Sequence, residues 1–160
     1  MDLIPFLSAE QVRHIQKTYG TPVYVYDQAT LEAQADQVLS FPNAFGLIAR
    51  YAMKACPSAA VLKVLTDRGL HIDASSGYEA TRAMQAGVPA DRIQITTQQV
   101  PDNLGDLIDQ GSLFNACSLN QIEAIGAARP GIEIALRINP GLGSGHSNRT
   151  NVGGPAASFG

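Results

Sequence analysis

Tryptophan is absent from this chain of 160 residues, and there are two cysteines and three histidines. The cysteines, Cys56 and Cys117, are too few for a disulfide framework or a CxxC-type zinc site. Both read as small buried hydrophobes in a reducing compartment. No apolar run approaches the roughly 20 residues that a membrane helix needs. The opening MDLIPFLSAEQ has no charged lead and no long apolar stretch, so a secretory signal is not expected and the cytoplasm is. Charges are interspersed and the formal net charge is −3, so no basic face points to nucleic acid. Low-complexity segments are missing too. What remains is a chain 45% hydrophobic and 16% charged, the balance of a soluble globular domain with room for a sizeable core.

Lysine is also scarce, and its placement is informative. Lys17, Lys54 and Lys63 are the full set, and Lys54 follows the apolar run FGLIARYAM, which reads as a buried strand. An ammonium group at such a strand end is costly unless something there uses it.

The leading segment, residues 1–45, reads as helix, strand, helix. SAEQVRHIQKTYG has a Ser8 cap, Gln11 three residues on and a stop at Gly20, the pattern of a capping box and a glycine end. PVYVY is β-branched and aromatic, which predicts a short strand. DQATLEAQADQVLS predicts a helix capped by Asp27, with Leu31, Ala35 and Val38 or Leu39 on one stripe.

Residues 46–138 then fall into a rhythm. Strand-like runs FGLIARYAM, LHIDAS, RIQIT, SLFNAC and IEIALRI alternate with helical segments that each end at a glycine. Their spacing of roughly 20 residues is that of a compact β-loop-α-loop unit. Five strands that each return through a helix predict a parallel sheet with right-handed crossovers. A doubly wound sheet and part of a (β/α)8 barrel both satisfy that pattern. KACPSAA after the first strand contains no glycine, which disfavours a dinucleotide fold of GxGxxG type. Residues 139–160 form a loop rich in Gly, Asn and Ser.

In a parallel α/β protein the C-terminal strand ends form the active face. Lys54 stands at the first, where its amine is a nucleophile toward an aldehyde; the ordinary alternative is a snorkelling surface lysine. Asp73 and Glu79, in HIDASSGYE, are carboxylates near the second strand end that suit Lys54 or a cationic cofactor, or equally a helix N-cap or turn residue and a first-turn helix charge. Arg137, in ALRINPG, needs a partner if buried: a carboxylate or the surroundings of an aromatic ring nitrogen suits its planar donors, and the ordinary alternative is a structural ion pair with Asp73 or Glu123. His14 and His71 read as structural, and His146, in GSGHSNRT, as a solvated loop histidine. Glycines 141, 143, 145, 153 and 154 allow a close anion approach but match no phosphate-loop spacing.

The segments TPVYVYD, RYAMKACPSAAVLKVL, GLHIDASSGYEATRAMQAGV, RIQIT, CSLNQIEAI and ALRINPG together resemble the fold-type III decarboxylase family that uses pyridoxal 5′-phosphate. Within it they are most similar to the diaminopimelate decarboxylases, with the ornithine and arginine enzymes more distant. The resemblance implies an alanine-racemase-like PLP-binding barrel, of which this chain would hold about the first five βα units. It implies that Lys54 carries the cofactor covalently, that Asp73 and Glu79 organise its surroundings, and that Arg137 lies in its site. The implied reaction is decarboxylation of meso-diaminopimelate to L-lysine, with a homodimer expected for the full-length parent. A non-catalytic PLP-binding module, a degenerate fragment and ornithine- or arginine-type substrates are the alternatives.

Departures accompany the match. Cys56 stands where the family usually has Asn, Cys117 and Gln121 stand within what is typically DSLNE, and Tyr78 replaces a glycine of SGGE. The later barrel strands and the β-domain are not in this sequence. The chain is therefore expected to be an N-terminal portion, inactive alone.

Overall fold

The structure, a computed structural model, describes residues 6–143, 152–154, 157, 159 and 160. Gly145 and His146 lie outside the described residues.

The leading helix α1 spans Ala9–Tyr19, and its capping box forms as the sequence predicts. Gln11 N–H donates to Ser8 Oγ at 3.1 Å, and Ser8 N–H donates to Gln11 Oε1 at 2.8 Å. No residue of α1 is buried. Helix α2 spans Gln28–Leu39 with Asp27 accepting from Thr30 N–H. Its Ala35 is buried, with Leu31 and Leu39 beside it, against Val61, Leu65 and Leu70. Val38, the other residue weighed for that stripe, is exposed.

Two expectations fail in this region. PVYVY is not a strand: residues 22–26 have no ladder partner, and Val23, Tyr24 and Tyr26 are exposed. β-propensity describes how well side chains fit a paired, half-buried surface, and no such surface is offered here. FGLIARYAM is not a buried strand along its length either. Only Arg50–Ala52 pairs, as β1, while Phe45, Leu47 and Ile48 are exposed. An edge strand has one neighbour, so only the stretch alongside it is held.

From β1 onward the units follow in order. The strands are β1, then β2 (His71–Ala74), β3 (Ile93–Ile95), β4 (Leu113–Ala116) and β5 (Ala135–Leu136). Between them run α3 (Ala59–Asp67), α4 (Gly77–Gln85), α5 (Leu104–Asp109) and α6 (Leu119–Ala128). All pairings are parallel and the spatial order is β1-β2-β3-β4-β5. That order has no reversal, so it resolves the two architectures left open by the sequence. A doubly wound sheet reverses direction part-way, whereas a barrel wall is laid down in sequence order.

The strands are not uniformly apolar. Ile72, Ala74, Ile93, Ile95, Phe114 and Ala116 face the helices and are buried. Burying each large aliphatic side chain stabilises by about 1.5–3 kcal/mol. The intervening residues, His71, Asp73, Gln94 and Asn115, occupy the opposite face and are half-buried. Gly87 and Gly111, just past α4 and α5, take φ of 91° and 100°, so a residue without Cβ turns the chain into the next strand.

Candidate active site

The C-terminal ends of the parallel strands share one rim, and a cavity of about 440 Å³ opens there. Lys54, Asp73, Thr96, Gln99, Arg137 and Phe159 are among the residues that line it. Three of the four residues singled out in the sequence therefore meet, although Lys54 and Arg137 come from the two edges of the sheet.

Each is delivered by local structure. After β1 the chain makes a 3₁₀ turn, Met53–Ala55, anchored by Met53 at 0% exposure. Lys54 follows that buried side chain and is exposed toward the cavity. Asp73 sits between buried Ile72 and Ala74, so the pleat turns it to the other face. There it accepts a 2.7 Å hydrogen bond from Thr96 Oγ1, just past β3.

Arg137 follows β5, and its N–H donates to Ala116 O at 2.8 Å. Its guanidinium carbon lies 5.0 Å from the centroid of the Phe159 ring. The structural ion pair with Asp73 or Glu123, the ordinary alternative for this residue, is not among those of the described residues. Instead Arg137 Nε and Nη2 are buried without a hydrogen-bond partner. Buried donors of this kind are rare, because an unmade hydrogen bond there is costly.

Glu79 is placed differently. It lines a neighbouring surface hollow rather than the Lys54 cavity, and its Oε2 accepts from Ser75 N–H at 2.7 Å. Ser76 caps the same helix by accepting from Glu79 N–H at 3.1 Å. Glu79 thus fixes the turn that carries Ser75 and Ser76, which do line the cavity.

Cys117 lies near the rim as well. Burial pushes its thiol up, the Asp73 charge adds to this, and Arg137 opposes it. Cys56 Sγ and Tyr26 Oη share a hydrogen bond at 3.3 Å, and it is the main cause that raises the phenol of Tyr26. Gly143 and Gly153 press their backbones together, so closely that a Cβ on Gly143 would stand 2.6 Å from Gly153 Cα.

Thr96, Gln99 and Phe159 were not anticipated. A hydroxyl at the end of RIQIT was the visible signal for Thr96, and it became meaningful only through the register of β2 with β3.

A family profile described as the pyridoxal-binding domain of pyridoxal-dependent decarboxylases matches residues 31–160. The chain belongs to that family. Pyridoxal is the cofactor class for which the family is described. Among curated relatives, the diaminopimelate decarboxylase of Streptomyces coelicolor is 35% identical across 98% of this chain and 34% of its own length. That of Escherichia coli K12 is 32% identical across 96% of this chain and 37% of its own. A crystal structure of a diaminopimelate decarboxylase superposes with a TM-score of 0.83 at 29% identity, covering 96% of this chain and 36% of that one. The chain thus spans about a third of the length of the relatives that it matches. The partial-barrel expectation agrees with this likeness, since the five strands form the sequential wall of such a domain. Among the described residues no helix is long and apolar enough to cross a membrane.

Proposed function

We propose that these 160 residues are the cofactor-anchoring part of an amino-acid decarboxylase, with meso-diaminopimelate as its substrate and L-lysine and carbon dioxide as its products. The observation that carries this reading is the rim cavity, where an exposed amine, a half-buried carboxylate and a guanidinium with two unpartnered nitrogens come together. That set fits pyridoxal 5′-phosphate, which has an aldehyde for a primary amine and anionic acceptors for a guanidinium. Lys54 would hold the aldehyde carbon, and Arg137 would face acceptor atoms. When bound, the cofactor supplies an electron sink for the pair left behind as carbon dioxide departs.

The chain's own residues do the positioning. Lys54 Nζ would hold the aldehyde, and as a free amine it would be the cavity's group for carrying a proton to the substrate. Thr96 holds Asp73 in one orientation beside it. The Phe159 ring over Arg137 keeps water from one face of the guanidinium, which strengthens that group's hold on an anion. Glu79 acts at one remove, by fixing the Ser75 N–H at the rim. The homodimer and the cytoplasmic setting expected for the full-length protein belong to the same reading.

Borohydride trapping tests it. The chain is incubated with pyridoxal phosphate, reduced and digested, and the pyridoxyl mass is located. Label confined to Lys54 is expected, and label spread evenly over Lys17, Lys54 and Lys63 would remove the site. In a version that also carries the later barrel strands and β-domain, Lys54→Ala abolishes carbon dioxide release from meso-diaminopimelate. Release from ornithine or arginine in its place would move the substrate assignment.

A further inference from the structure

At the opposite end of the sheet from Lys54 the strands begin, and basic residues gather there. Arg50 and His71 are direct register partners on β1 and β2. Ile72 pairs with Ile93, so Arg92, immediately before β3, stands level with His71 on its other side. Three basic side chains therefore occupy neighbouring strand starts. Arg50 Nε and His71 Nδ1 are each buried with no hydrogen-bond partner. The ion pairs of the described residues are Lys63–Asp67, Arg68–Asp36 and Arg129–Asp109, and none of them engages Arg50 or Arg92.

The electrostatics agree with this placement. Burial is the main cause that lowers the His71 imidazole, Arg50 from β1 and Arg92 from the turn before β3 lower it further, and Asp91 from that same turn opposes them. Two arginines against one aspartate leave the cluster positive. A guanidinium is a planar fork shaped for the oxygens of a carboxylate or phosphate, and an imidazole beside such an anion gains a proton as a further charge. The unpartnered nitrogens of Arg50 and His71, beside the exposed Arg92 guanidinium, suit an anionic group.

We infer that Arg50, His71 and Arg92 form an oxyanion-binding site at the N-terminal end of the sheet, which takes a phosphate group or a carboxylate. The site owes nothing to Lys54 or its cavity, so it stands or falls independently of the decarboxylase reading.

The test follows the His71 ring proton by NMR across pH, with inorganic phosphate or acetate added. The signal is assigned by its loss in His71→Gln, and His14 on exposed α1 serves as the internal reference. Phosphate is expected to raise the His71 midpoint saturably, by about one pH unit, while His14 stays still. Arg92→Gln, at an exposed position, should weaken the anion about tenfold with an unchanged melt. Arg50→Gln should remove the response. A response to phosphate alone assigns the site to phosphate groups, and an equal response to acetate assigns it to carboxylates. The inference is overturned if neither anion moves His71 more than His14, or if Arg50→Gln and Arg92→Gln both leave the response intact.

Discussion

Two strand-to-helix junctions, β2–α4 and β4–α6, use the same device with different residues. In each a serine caps the helix, Ser76 accepting from Glu79 N–H and Ser118 from Gln121 N–H. In each the third helical side chain reaches back to the N–H before the cap, from Glu79 to Ser75 at 2.7 Å and from Gln121 to Cys117 at 2.6 Å. The difference lies in burial. Glu79 is half-buried, where a carboxylate keeps some water, whereas Gln121 is 5% exposed. A charge at Gln121 would carry a heavy desolvation cost, and the neutral amide adds a donor that a carboxylate lacks. Gln121 Nε2 uses it on Thr97 O at 2.8 Å, tying the end of β3 to the end of β4. One motif thus serves as a cap at the first junction and as a cap plus a cross-strand tie at the second.

The junctions also differ in what covers them. A Cβ on Gly77 would stand 2.8 Å from Asn103 Oδ1 and 3.0 Å from Pro101 Cβ, so the loop before α5 lies hard against α4. Leu119, the matching first residue of α6, is 78% exposed.

Substitutions can break this comparison, and the largest effect is expected at Gln121. Gln121→Ala strands Cys117 N–H and Thr97 O inside the protein and should cost about 3 kcal/mol in urea unfolding. Gly77→Ala forces the 101–103 loop away and should cost about 2 kcal/mol, while Leu119→Ala serves as the matched control at under about 0.5 kcal/mol. Glu79→Gln keeps the reach to Ser75 and should cost less than about 1 kcal/mol. If Glu79→Gln proves as damaging as Gln121→Ala, the two junctions do not differ as described.

A pH series sharpens the contrast with the other end of the sheet. The folded state holds His71 below its ordinary value, chiefly by burial. At low pH the unfolded chain therefore binds the proton more readily. Stability from this group is present above about pH 6.5, the unfolded value, and is lost as pH falls through the lower folded value. A melting temperature that drops between pH 7 and pH 5 is expected, and His71→Gln should remove that part of the drop.

The sequence made the βα rhythm, the capping residues and the glycine stops legible, because each is a contact between near neighbours. Lys54, Asp73 and Arg137 were legible as strand-end residues for the same reason. What could not be read was anything that depends on a distant partner. PVYVY has strand chemistry and no neighbouring strand, and Phe45–Ile48 are apolar yet lie beyond the paired stretch of β1. The bond of Thr96 to Asp73 exists only because of strand register. The buried, unpartnered nitrogens of Arg137 are likewise visible only once Phe159 lies over the guanidinium.

The sequential strand order has a consequence for how the site comes into being. During synthesis each new strand docks on the one made just before it, so the wall can grow from its N-terminal edge without waiting for distant chain. Lys54 leaves the ribosome four units ahead of Arg137. The Lys54 side of the cavity is in place early, and the Arg137 side is completed only when β5 arrives.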